Sequence, residues 1–229
     1  IDLRHSVSDP VFDAKTNVLG TINVLQNCIK YKVKKVIFAS SGGTVYGEQQ
    51  AFPASEIHPL KPVSPYGITK LAGENYLYYY KITYGLDFAT LRYANVYGPR
   101  QDPFGEAGVV AIFIQKMLDG EQPVINGDGE QTRDFVYIED VVRANVLSIT
   151  NYTSEDIFNI GTGVETSVNQ IFNKLKEIIN PGIKEKYGPP KTGEQLRCVI
   201  EYKRAKEILN WTPEISVEDG IRKTYEFFK

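Results

Sequence analysis

The chain has 229 residues, 42% hydrophobic and 24% charged, with a formal net charge of −2, long enough to bury a core in one large or two modest domains. A pI near 5.8 gives nucleic acid or an anionic membrane no electrostatic purchase, so neither is expected as a partner. Cys28 and Cys198 lie far apart and His5 and His58 are the only histidines, so no metal centre and no disulfide framework are expected, and a reducing cytoplasm suits the chain. Apolar runs such as VVAIFI at 109–114 are far too short to span a bilayer, and nothing reads as a signal peptide.

From about Pro10 to Tyr31, Val11, Ala14, Val18, Ile22, Leu25 and Ile29 recur at three- and four-residue steps, which predicts a helix with one buried face. The continuous apolar run Val36 to Ala39 in KKVIFASS predicts a strand covered on both faces, ending in Ser40, Ser41, Gly42 and Gly43. After a polar loop, 47–65, comes SPYGITKLAGE. Ser64 suits a helix N-cap and Pro65 the first helical position, so Tyr66 falls in the first turn and Lys70 shares its face. DFATLRYANVYGPR predicts a second buried strand ending at Asn95.

Helix, strand, loop, helix and strand in succession make a doubly wound parallel sheet, whose ligands sit beyond the carboxyl ends of the strands. Ser40, Ser41, Thr44 and Asn95 are thereby placed beside the helix start that carries Tyr66. In the second half, GVVAIFIQKMLDGE predicts a helix, and QPVINGDGEQTRDFVYI a strand, a Gly-rich turn and another strand. EDVVRANVLSIT reads as a helix, DIFNIG as a short strand, VNQIFNKLKEII as a helix, 181–193 as a Pro/Gly linker, and YKRAKEILNW and VEDGIRKTYEFF as two final helices. A smaller mixed α/β lobe folded onto the sheet is expected.

A phenol ionises near pH ~10, but an adjacent ammonium and the positive end of a helix dipole both favour the phenolate. Tyr66 next to Lys70 is therefore a candidate proton-transfer pair. Alone, Y-x-x-x-K reads far more readily as an amphipathic tyrosine and a solvated lysine. FASSGGTVYG, SPYGITK, LRYANVYGPR, RDFVYIEDV and ILNWTPEISVEDGI, in this order and spacing, resemble the extended short-chain dehydrogenase/reductase family. The likeness is to its NAD-dependent nucleotide-sugar epimerases of the UDP-glucose 4-epimerase type, and it covers essentially the whole chain.

The resemblance implies a cytoplasmic, NAD-dependent enzyme that inverts C4 of a UDP-hexose through a 4-keto intermediate. Tyr66 would be the acid/base, with Lys70 holding the nicotinamide ribose and favouring the phenolate. Thr16, Asn17, Ser40 and Tyr93 would join them around the cofactor. Asn95 and Arg133 would meet the nucleotide diphosphate, an arginine suiting phosphate by charge and fork geometry. Val124 and Asn126 would line the base, Glu194 in KTGE would contact its ribose, and Cys198 falls near the position that limits the sugar's C2 substituent. YLYYY at 76–80 would lie in a homodimer interface.

The usual catalytic Ser/Thr position holds Gly42 here. Ser41, ranked first, or Thr44 would supply the hydroxyl; for Ser40 and Ser41 the alternative is capping of backbone groups at a strand end. Dehydratases carry Asp-Glu and decarboxylating members a glutamate before VYG; this chain has Gly43 and Thr44, which favours epimerisation. Another nucleotide sugar as substrate (a UDP-N-acetylhexosamine or UDP-uronate), for an epimerase or reductase, and a non-catalytic nucleotide-binding member of the fold remain the rival readings.

The expected fold is a Rossmann-like doubly wound parallel α/β sheet with a smaller mixed substrate lobe. Residues 1–98 and 132–160 would form the cofactor domain and 99–131 and 161–229 the nucleotide-sugar lobe. By the same resemblance the chain begins just after the third strand of such a domain. The glycine-loop βαβαβ segment, about 60 to 80 residues, is expected to be missing from this sequence.

Overall fold

The computed structural model describes residues 3–105, 108–151, 153, 155–190 and 195–229. Leu3–Ser8 (α1) and Pro10–Ala14 (α2) lead through a π-helical stretch, Lys15–Leu19, into Gly20–Lys30 (α3). Lys35–Ser41 (β1), Pro65–Tyr84 (α4) and Asp87–Tyr93 (β2) follow. Asn95–Tyr97 (β3), Val109–Leu118 (α5), Ile125–Asn126 (β4), Thr132–Tyr137 (β5) and Ile138–Thr150 (α6) lead on to Ile157–Ile160 (β6). The chain ends with Glu165–Ser167 (β7), Val168–Ile179 (α7), Tyr187–Gly188 (β8), Arg197–Cys198 (β9), Lys203–Leu209 (α8) and Val217–Phe228 (α9).

Strands β1, β2 and β6 form a parallel sheet in that order, with Lys35 opposite Asp87 and Thr90 opposite Ile157. Helices α3 and α4 cover one face, where Leu25, Leu77, Tyr80, Leu86 and Phe88 pack together. Helices α6 and α8 cover the other, where Leu91, Phe158 and Ile160 meet Trp211, whose indole N–H donates to the Asp140 carbonyl at 2.8 Å. This is a Rossmann-like α/β fold. Its second sheet runs β3, β5, β7, with β9 also on β5, and α5, α7 and α9 bury Phe113, Phe172, Leu175 and Ile221 beside it. Among the described residues no helix is long and apolar enough to cross a membrane.

Four sequence expectations are corrected. The helix after Pro10 buries its apolar stripe wholly or in part from Ala14 to Ile29, with Leu25 in the core, but not at its start, where Val11 is 62% exposed while Asp13 is fully buried. A π turn inserts an extra residue per turn and rotates the faces before and after it relative to one another. Strand β1 is half-buried, with Ala39 exposed, because it stands at the edge of its sheet. Strand β2 stops at Tyr93; Ala94 N–H donates to Ile160 O at 2.9 Å, and Asn95 opens β3 in the second sheet. Strands β4 and β5 do not form a hairpin. The glycines between them, Gly127 and Gly129, both have positive φ and turn the chain so that β4 pairs with β8 and β5 with β3, β7 and β9.

Candidate active site

The carboxyl end of β1 and the amino end of α4 meet at one place. Ser64 caps α4, its Oγ accepting the Gly67 N–H at 3.1 Å, and Pro65 fills the first turn. Gly67 has no side chain for a steric reason: a Cβ there would lie 2.9 Å from the Thr44 carbonyl and 3.2 Å from Thr44 Cβ. The loop after β1 thus lies directly on the turn that carries Tyr66.

Lys70 follows one turn after Tyr66 on the same face. Its Nζ donates to the Ala39 carbonyl at 3.0 Å and stands 5.6 Å from the Tyr66 ring centroid and 5.2 Å from that of Phe38. Burial pushes the Lys70 ammonium below its ordinary pKa, and the Asp13 carboxylate opposes that shift. The phenol ring and the ammonium are therefore close neighbours, as the sequence spacing requires.

Around them the strand ends divide by alternation. Ser40 points inward and is buried, its hydroxyl donating to Glu74 Oε1 at 2.5 Å. Glu74 also binds Arg92, at 2.6 Å to Nη2 and 3.0 Å to Nε, and Arg92 reaches the Tyr46 hydroxyl at 3.0 Å. Tyr93 lies on the opposite face and donates to Asn145 Oδ1 at 3.0 Å. Both hydroxyls are thus engaged within the protein.

Ser41 points the other way. A Cβ placed on Gly43 would sit 3.8 Å from Ser41 Oγ and 3.7 Å from Asn95 Oδ1, so these two side chains flank the space above Gly43. Gly42 faces inward: its Cβ would lie 2.7 Å from Ile200 Cδ1 and 3.2 Å from the Arg92 carbonyl. Thr44 Oγ1 is buried with no hydrogen-bond partner among the described residues.

The predicted residues of the second sheet lie farther along. Arg133 on β5 stands in register with Cys198 on β9, its Nη1 donating to Thr132 O at 2.8 Å. Cys198 is buried with its sulfur 4.0 Å from the Gly42 carbonyl and 3.8 Å from Gln49 Nε2, and burial pushes its thiol up to about 11. Asn126 lines a cavity of about 400 Å³ with Gly127, Asp128, Gln131, Gly188 and Leu196. Val124 is exposed at its edge, 2.9 Å from a Cβ on Gly188. Glu194 lies outside the described residues. Thr16 lines a separate apolar groove with Thr21, Val36 and Phe38, its hydroxyl held by Phe12 O at 3.0 Å. Asn17 binds Asp13 Oδ1 at 2.8 Å and Thr69 Oγ1 at 3.3 Å.

Sequence reasoning missed Asp13, Thr69 and Glu74. An aspartate four residues before an asparagine was a readable i,i+4 pair. Glu74, one turn past Lys70, carried no signal that it meets Arg92, because that pairing is made only in the tertiary structure.

Comparison with known proteins yields consistent neighbours. A family model described as "NAD dependent epimerase/dehydratase family" matches residues 2–161. A protein of Methanocaldococcus jannaschii named "Putative UDP-glucose 4-epimerase" is 50% identical over all of this chain and 74% of its own length. The UDP-glucose 4-epimerase of Mycolicibacterium smegmatis is 44% identical over all of this chain and 73% of its own. Among solved structures, a UDP-glucose 4-epimerase of Thermotoga maritima with UDP-glucose superposes with a TM-score of 0.96 at 50% identity, over 99% of this chain and 74% of that one. The Thermus thermophilus UDP-glucose 4-epimerase in complex with NAD superposes with a TM-score of 0.92 at 39% identity, over 99% and 74%.

Proposed function

The chain belongs to the NAD-dependent epimerase/dehydratase family, and we propose that it acts as a UDP-glucose 4-epimerase, inverting C4 of a UDP-hexose with NAD as its cofactor. The observation that carries the reading is the Tyr66–Lys70 pair, with the ammonium 5.6 Å from the phenol ring centroid at the carboxyl end of a parallel sheet. The residues present fit the nicotinamide end of the cofactor. Lys70 donates to Ala39 O, which leaves two of its three donors for a ribose, and the Thr44 carbonyl and Cβ lie against the first turn of α4. NAD, when bound, supplies hydride acceptance and return at C4.

In this reading Tyr66 takes the proton of the C4 hydroxyl and later returns it. Lys70 stabilises the phenolate by charge and holds the cofactor ribose. Ser41, flanking the space above Gly43 with Asn95, provides the bridging hydroxyl in place of the one absent at Gly42, and Thr44 lies beyond it. Asn95 and Arg133 take the diphosphate, Val124 and Asn126 the uracil side, Glu194 the ribose, and Cys198 backs the sugar end behind Gly42. Asn17 and Thr16 support the cofactor face from the helices, while Ser40 and Tyr93 shape the strand ends. Residues 1–98 and 132–160 form the cofactor side and 99–131 and 161–229 the nucleotide-sugar side, with β5 serving both. A cytoplasmic homodimer completes the proposal. The cysteines Cys28 and Cys198 are free thiols, which suits a reducing compartment, and the tyrosine-rich face of α4 exposes Tyr78, Tyr79 and Ile82 for a second copy.

The test is proton NMR of UDP-galactose incubated with the protein and NAD, with UDP-N-acetylglucosamine and UDP-glucuronate in parallel. The reading predicts growth of the UDP-glucose anomeric signal. Turnover of the N-acetyl or uronate sugars alone, or of none, would overturn it.

A further inference from the structure

The charge of Lys70 has to be held in one place and also left available. A lysine ammonium is a compact, strongly hydrated charge on a flexible stem. A carboxylate partner would fix it by cancelling the charge and occupying the donors that a phenolate and a ribose need. The groups seated around Nζ are of another kind. It donates to the Ala39 carbonyl at 3.0 Å and stands between two aromatic rings, with the Phe38 centroid at 5.2 Å and the Tyr66 centroid at 5.6 Å. An aromatic face within about 6 Å attracts a cation through its quadrupole and leaves the charge uncancelled.

Phe38 is itself held. It packs against the cluster that contains Leu25, Leu77 and Phe88. On α4, one turn after Lys70, Gly73 closes on the tip of the ring: a Cβ there would lie 2.6 Å from Phe38 Cζ and 3.2 and 3.3 Å from its two Cε atoms. Three successive residues of β1 thus meet α4, Phe38 at Gly73, Ala39 at Lys70 and Ser40 at Glu74. A side chain at position 73 would push the ring away from this seat.

We propose that Phe38 is a positioning residue for the Lys70 ammonium: its ring, seated on Gly73, holds Nζ beside the Tyr66 phenol without taking its charge or its remaining donors. The inference rests on the proton-transfer and ribose-holding roles proposed for Lys70. Leucine at position 38 keeps an apolar side chain in the cluster and removes the ring face. The expected loss in kcat is about 2- to 30-fold, the range of a cation–π contact between exposed and desolvated settings.

The experiment labels the full chain with ¹³C-lysine and, without substrate or cofactor, reads the ε-methylene NMR signal of Lys70, identified by its loss in Lys70→Arg. A methylene held over ring faces resonates upfield of an ordinary lysine. Phe38→Leu is expected to move the signal toward those of the other lysines, and Gly73→Ala to move it by displacing the ring. A double-mutant cycle on kcat then separates positioning from packing. Phe38→Leu alone is expected to show the loss above, and the same substitution in Lys70→Met to change kcat less than about twofold, because the ammonium it placed is gone. A Lys70 signal unmoved by Phe38→Leu, or an equal fold loss in both backgrounds, as packing alone would give, would overturn the proposal. If Phe38→Leu does not fold, Gly73→Ala takes its place in both measurements with the same expectations. If wild type turns over no UDP-sugar, the functional reading fails and the Lys70 signal alone decides the role of Phe38.

Discussion

Placing a serine at Gly42, the position to which the sequence resemblance assigns the catalytic hydroxyl, is predicted to damage the protein rather than improve it. Neither Gly42 nor Gly43 has positive φ, so the backbone accepts a side chain at both and the surroundings decide. At Gly42 the new Cβ would lie 2.7 Å from Ile200 Cδ1, 3.3 Å from Ile200 Cγ2 and 3.2 Å from the Arg92 carbonyl. The δ-methyl can swing aside, but the branched γ2-methyl and the strand carbonyl are fixed, and Ile200 is fully buried with Val45, Tyr46 and Ala54. Overpacking of this kind costs about 1–3 kcal/mol, which for a chain of this size lowers the unfolding temperature by about 2–12 °C. At Gly43 the Cβ meets only Ser41 Oγ and Asn95 Oδ1, at 3.8 and 3.7 Å, so Gly43→Ser is expected to unfold within a degree or two of wild type. Differential scanning calorimetry with parallel kcat measurements decides. A Gly42→Ser protein as stable as wild type with a higher kcat would refute the reasoning, because it would mean that position 42 faces the sugar.

Three further outcomes follow from the geometry. Glu74→Leu strands the buried Arg92 guanidinium, now 2.6 Å from its carboxylate partner. It is expected to cost about 3–5 kcal/mol, an unfolding temperature about 6–20 °C lower by circular dichroism. Because burial pushes the Cys198 thiol up to about 11 and thiolate is the reactive form, iodoacetamide at pH 8 should modify Cys28 and spare Cys198 in peptide mass mapping. Lys70→Met removes the donor and the charge beside Tyr66 and should lower kcat about 10²–10⁴-fold with the calorimetric profile near wild type, since among the described residues Lys70 makes one hydrogen bond, to Ala39.

The local rules were legible where one residue type had one job. Ser64, Pro65 and Gly85 bound α4 where capping chemistry puts them, Gly85 in the left-handed conformation. The spacing of Tyr66 and Lys70 alone set their shared face. The helix after Pro10 was harder: its apolar steps face the core from Ala14 to Ile29, yet before the π turn at Lys15–Leu19 the buried face falls on Asp13 rather than Val11, and nothing local announces a π turn. The strand ends split for a related reason. Ser40 and Ser41 are adjacent and chemically alike, and only the pleat, with Glu74 waiting on one side, sends one inward and leaves the other at the site. The pairing of β5 with three strands, and the seat of Cys198 behind Gly42, are contacts between distant segments that no periodicity encodes.

The most direct test of the account is turnover of UDP-galactose by Tyr66→Phe against wild type, with NAD supplied and matched unfolding temperatures confirming that only the hydroxyl has been lost. Transfer of the C4 proton through that phenol predicts a fall in kcat of about 10²–10⁴-fold with KM little changed. A Tyr66→Phe protein that epimerises as fast as wild type would contradict the central claim.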